Sequence, residues 1–134
     1  MKQLLSKINA LNDVFTSPIQ NSEIAQAEHK LNIKFSEEYK DYLVTFGVIF
    51  YGSTELYGLG IDDKFDLNIL CSVPEFRENQ GYPFNAVPLC EIGDGHYYLY
   101  DNESQKVVKF ALPNGGVYAE ENKSLEQFLI DFLF

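Results

Sequence analysis

The stretch from Ala86 to Glu120 limits the possible folds of this chain more than any other. It reads as four short strands divided by turn-forming clusters. Ala86-Val-Pro-Leu-Cys-Glu-Ile92 and His96-Tyr-Tyr-Leu-Tyr-Asp101 flank Gly93-Asp94-Gly95, and an Asp-Gly step supplies the positive φ angles of a tight hairpin. Asp101-Asn-Glu-Ser104 leads into a third run, Lys106 to Leu112, and Pro113-Asn-Gly-Gly116 reverses the chain into Val117-Tyr118-Ala119. Consecutive strands joined by such turns make an antiparallel meander. Pro88 has no amide hydrogen for a ladder, so the first strand is expected to have a free or irregular edge.

Helices precede and follow this meander. Leu4, Leu5, Ile8 and Leu11 recur at helical spacing over residues 3–13, and Thr16-Ser-Pro-Ile-Gln-Asn21 ends that run. Ser22 with Glu23 then marks a helix start, followed by the apolar stripe Ile24, Ala27 and Leu31. Ser36 caps a third helix, Glu37 to Phe46, with Tyr39, Tyr42, Leu43 and Phe46 on one face and Gly47 at its end. Residues 48–51 and 54–57 around Gly52 suggest one or two strands, and 61–71 read mostly as loop. Ser72-Val-Pro-Glu75 opens a short helix that Gln80-Gly-Tyr-Pro83 closes. At the end, Ser124 and Gln127 form a capping box before Leu125, Phe128, Leu129 and Phe132, and Phe134 is expected to pack on the sheet. Helices, then strands, then one closing helix give an α+β fold. The expected arrangement is one domain over residues 1–134, a mainly antiparallel meander covered on one face by the N-terminal and C-terminal helices.

A chain of 134 residues, 46% of them hydrophobic, can bury a core without metal or disulfide staples. No apolar run nears the ~20 residues that span a bilayer. Met1-Lys-Gln-Leu-Leu-Ser-Lys7 lacks the features of a signal peptide, so a cytoplasmic protein without membrane contact is expected. Cys71 and Cys90 each fall in an apolar run and read as two core thiols.

Charge is unevenly placed. Residues 55–103 hold ten acids against Lys64 and Arg77 alone, and so carry −8 of the net −10. Such a field repels nucleic acid and attracts basic partners, although a surface that serves only solubility has the same composition. Asp62-Asp63-Lys64-Phe65-Asp66-Leu67-Asn68 fails as a calcium loop, because Lys64 and Leu67 occupy positions that need an oxygen ligand and a glycine. Gly52, Gly58 and Gly60 lack the Lys-Ser/Thr and helix start of a phosphate cradle. His96 lies near Glu91 and Asp101, either of which could orient it, with Cys90 as the nearest nucleophile. That set does not complete an acid–base site, and the chain is expected not to be an enzyme. No cofactor motif is present. Tyr98 and Tyr100 share a strand face with His96, and Tyr97 and Leu99 share the other. One set belongs under the helices, and the other, with Tyr57 and Tyr118 near it, would form an aromatic patch rimmed by acids.

The run Asn21-Ser-Glu-Ile-Ala-Gln-Ala-Glu-His-Lys-Leu-Asn-Ile-Lys-Phe-Ser-Glu-Glu-Tyr-Lys-Asp-Tyr-Leu-Val-Thr-Phe-Gly47, followed by Glu55-Leu-Tyr-Gly58 and by Ile92-Gly-Asp-Gly-His-Tyr-Tyr-Leu-Tyr-Asp101, resembles the SUKH superfamily. That group includes bacterial immunity proteins against contact-dependent or polymorphic toxins and yeast regulators of cell-wall synthesis. Ser36 stands where proline is often found, and Gly47-Val-Ile-Phe lacks the usual Asn-Gly-Gly type of turn. The resemblance implies an immunity protein that binds a cognate toxin, often a nuclease with a basic cleft, and it brings no catalytic residues. Charge and aromatic content put the expected contacts at Glu55, Tyr57, Asp62, Asp63, Asp66, Asp94, His96 and Asp101, with Tyr57 at the centre. The alternatives are a scaffold or regulatory binding module without a toxin partner, and a small enzyme using His96.

Overall fold

Turn and cap residues fix the element order of the computed structural model, which describes residues 1–134. Helix α1 spans Lys2–Asn9, strand β1 Val14–Thr16, helix α2 Asn21–Leu31 and helix α3 Glu37–Thr45. Strands β2 (Ile49–Tyr51) and β3 (Thr54–Leu56) follow, then helix α4 (Ile69–Phe76). The meander is β4 (Ala86–Gly93), β5 (His96–Asp101), β6 (Lys106–Ala111) and β7 (Gly116–Glu121), and α5 (Leu125–Leu133) closes the chain. The α+β architecture expected from the sequence is present, with the strands divided between two antiparallel sheets, β1-β2-β3 and β4-β5-β6-β7.

Three local expectations changed. Helix α2 begins at Asn21 behind Gln20, which makes no side-chain cap, and not behind Ser22. Helix α4 begins at Ile69, inside the stretch expected to be loop. Its cap is Asn68, whose side chain accepts from the Leu70 amide at 2.8 Å and donates to the Ile61 carbonyl at 2.9 Å. Strand β1 was not expected at all. It is three residues long and its one strand partner is β2, with Phe15 opposite Phe50.

The hairpin turn is as the Asp-Gly step requires. Asp94 and Gly95 both have positive φ, 54° and 80°, and Gly93 pairs with His96. Strand β4 is an edge of the four-stranded sheet, and its register slips between Pro88 and Cys90 and again between Glu91 and Gly93. At the first slip the Leu89 carbonyl is turned to accept the Tyr57 amide at 2.9 Å, and this bond ties the end of β3 to the meander.

The main core lies between the helices and one face of the meander, where Tyr100, Val87, Leu89 and Val107 meet Tyr39, Tyr42, Leu43 and Leu125. Tyr39 stacks on both Tyr42 and Tyr100, with centroids 5.6 and 5.7 Å apart. The opposite face is not bare. Phe76 from the end of α4 and Tyr82 cover Leu99, Val108, Phe110 and Tyr97 in a second, smaller cluster. Phe134 stacks on Tyr51 of the three-stranded sheet while remaining half exposed. Cys90 is buried and Cys71 is partly exposed, and both are free. No helix is long and apolar enough to cross a membrane.

Candidate partner-binding groove

Tyr57 follows β3 directly, and two backbone bonds fix it: its amide donates to Leu89, and its carbonyl accepts the Tyr42 hydroxyl at 3.0 Å. Its ring ends in a junction between β4, α4 and the 61–68 loop, where it is only 8% exposed. On one side of this ring opens a groove of about 560 Å³, lined by Glu55, Phe65, Asp66, Cys90, Glu91 and Phe132. Adjoining it is a pocket of about 220 Å³ beside α4, which shares Tyr57 and Asp66 and adds Ser72, Glu75, Phe76 and Tyr97.

The electrostatics of this junction are one-sided. Four carboxylates, Glu55, Asp66, Glu75 and Glu91, line the two hollows, and no lysine or arginine does. None of the four enters any of the ion pairs of the chain. The charge of two of them, Asp66 and Glu91, is felt by the rings between them. Burial raises the Tyr57 phenol well above its ordinary range, and Tyr97, Asp66 and Glu91 add to the effect; burial also raises Tyr97, helped by Glu91 and Asp66. At the rim, Phe65 and Phe132 stay 43% and 37% exposed. Exposed rings among carboxylates, over a floor of buried rings, have the composition of a protein-recognition surface.

The residues singled out from the sequence are distributed unequally about this junction. Glu55, Tyr57 and Asp66 are brought together in it, with Tyr57 at the centre as a buried floor and not as a protruding anchor. Asp62 caps its own loop, accepting from the Lys64 amide at 2.9 Å, and Asp63 lines a separate cleft against α2 with Glu23 and Lys30. Asp94 sits in the hairpin turn. His96 bonds through Nδ1 to the Tyr118 hydroxyl at 2.7 Å, and neither Glu91 nor Asp101 orients it. Asp101, at the opposite end of β5, accepts from the Glu103 amide and the Ser104 hydroxyl and so shapes the next turn. Tyr118 therefore belongs with His96, apart from Tyr57. Cys90, the candidate nucleophile, has its thiol pushed up to about 12 by burial, which keeps it protonated at neutral pH.

Four contributors to the junction were missed: Glu91, Phe65 and Phe132 in the groove and Glu75 in the pocket beside α4. For Glu91 the reason is geometric. A regular two-residue hairpin with Gly93 opposite His96 places Glu91 opposite Tyr98 on the helix-covered face. The second register slip places it opposite Tyr97, on the face that meets Tyr57. Phe132 occupies the helical stripe of α5 and packs edge-on against Tyr98 at 5.8 Å, yet part of its ring stays exposed and lines the groove.

Taken together, the fold and the junction define a single-domain α+β protein with one acidic, aromatic-floored groove. The sequence matches the SUKH_5 family, described as SMI1-KNR4 cell-wall, over residues 1–134, and the chain belongs to that family. Among curated proteins, none matches it significantly.

Proposed function

We propose that this protein is an immunity protein, which binds a cognate polymorphic or contact-dependent toxin in the cytoplasm and blocks it by occupation, without catalysis. Membership of the SUKH family over the whole chain supports a role of the toxin-immunity or cell-wall-regulator kind. The observation that carries the finer reading is the groove with its adjoining pocket, where Glu55, Asp66, Glu75 and Glu91 are exposed around Tyr57 with no base among them. Carboxylates with no internal partner are suited to a basic partner surface, such as the cleft of a nuclease, and they speed its association. Asp62, Asp63, Asp94, His96 and Asp101 lie outside the groove, where their part is to extend the field or the rim.

The test is protection. Where a toxin domain is encoded beside this gene, cells that express it should survive when the chain is co-expressed, and purified chain at equimolar ratio should abolish the activity of that domain. Survival without formation of a complex would contradict the reading. A second reading, a scaffold or regulatory binding module without a toxin partner, is favoured by the description of the family as SMI1-KNR4 cell-wall. Under that reading the chain binds a partner without inhibiting any activity of it.

A further inference from the structure

We infer that the smaller pocket beside α4 receives the guanidinium group of an arginine presented by the partner, an inference that rests on the groove being the partner site. At about 220 Å³ the pocket is smaller than the ~300–1,000 Å³ of small-molecule sites and is sized for one long side chain. Its walls are Tyr57, Phe76 and Tyr97, flat rings on which a planar cation stacks. Phe76 meets Tyr97 edge-on at 4.9 Å and Tyr57 edge-on at 6.5 Å, so the rings are fixed by one another before any ligand arrives.

The polar groups of the pocket are all suited to accept. Asp66 and Glu75 line it without an ion pair or a side-chain hydrogen bond within the protein. Asn79 directs its amide hydrogens to the Glu75 and Phe76 carbonyls, which leaves its side-chain oxygen for a donor. Ser72 is the independent sign of a missing partner. It lines the pocket, is 4% exposed, and its buried hydroxyl oxygen bonds to nothing in the chain. A buried polar atom without a partner is costly, and a ligand that supplies the partner recovers that cost. Two carboxylates, an amide oxygen and a hydroxyl around a ring-walled slot match the five fork-like donors of arginine better than the single ammonium of lysine.

The probe is N-acetyl-arginine methylamide, titrated into the isotope-labelled full chain and followed by backbone NMR, with the citrulline and lysine analogues alongside. The expected result is a coherent shift of Tyr57, Ser72, Asn79 and Tyr97, with arginine bound about tenfold tighter than either analogue. The double variant Asp66→Asn/Glu75→Asn removes two charges that hold no internal bond, and it should weaken arginine about tenfold while leaving the melting temperature in place. Three results would overturn the assignment: shifts scattered over the other acidic residues, citrulline or lysine bound as well as arginine, or arginine binding untouched in the double variant. Loss of arginine binding with toxin protection intact removes only the pocket assignment. Arginine binding without protection removes the immunity reading and leaves the pocket.

Discussion

Ser36 shows how much one short side chain can hold. Its oxygen accepts the Tyr39 amide at 3.1 Å as the cap of α3 and lies 2.7 Å from the Tyr100 hydroxyl, which in turn donates to Glu38 at 3.1 Å. Its own amide donates to Asn102 at 2.9 Å, so a helix start and a strand end share one polar knot. Replacing Ser36 with Ala removes the cap and leaves the buried Tyr100 hydroxyl with one partner fewer, and it should cost about 2–3 kcal/mol in urea unfolding. The cap was readable from Ser36 and the helical pattern behind it, whereas its bond to Tyr100, a residue 64 positions away, was not. Cys90 gives a second test at this scale. Its thiol is held at about 12 against 9.0 in the open chain, so above pH 9 the unfolded state loses a proton that the native state keeps. The stabilisation is complete below pH 9 and fades as pH rises toward 12; Cys90→Ala should flatten that part of the unfolding curve. A thiol reagent should label Cys71 in the folded chain and Cys90 only after denaturation, and equal labelling in the folded chain would contradict the burial of Cys90.

At the scale of elements, the least tolerant point is the crossing between the loop after α3 and the loop after β3. The Gly47 carbonyl accepts the Leu59 amide at 3.0 Å, and a Cβ on Gly58 would sit 1.7 Å from that carbonyl oxygen. Gly58→Ala should therefore cost about 3 kcal/mol or more and displace Tyr57, because the obstacle is backbone and cannot swing aside. Gly52→Ala, which meets nothing within 4 Å but has a φ of +61°, should cost only about 1–2 kcal/mol from backbone strain. Equal denaturation midpoints for the two variants would contradict this. Gly52 reads from the sequence as the break between two short strands, and that is enough to explain it. The role of Gly58 depends on a neighbour eleven residues back, which no local pattern encodes. The same division runs through the other elements. The meander, α3 and α5 were readable because turn chemistry, caps and periodicity agreed over long runs. Strand β1 and the first turn of α4 were not, because β1 is defined as a strand by its pairing with β2, and α4 starts where Asn68 is anchored to the Ile61 carbonyl.

For the whole molecule, net charge and its placement dominate. The segment 55–103 carries ten acids against two bases, and Arg77, one of those bases, is held over the Phe84 ring at 3.7 Å and bonded to the Phe84 carbonyl. No base lines the groove or its pocket and none of their carboxylates enters an ion pair, so capture of a basic partner should slow steeply as salt is added. The excess itself was visible in the sequence. Its focus on Glu55, Asp66, Glu75 and Glu91 was only partly so, since the fold alone brings α4 and the slipped strand β4 to Tyr57. The most direct measurement is the affinity of the chain for the toxin domain proposed as its partner, at low and high salt, with and without the reversal Asp66→Lys/Glu91→Lys. Neither residue enters an ion pair of the chain, so the variant should keep its circular dichroism spectrum while losing about hundredfold in affinity and most of its salt dependence. A correctly folded variant that binds with wild-type affinity and an unchanged salt slope would contradict the groove as the binding site.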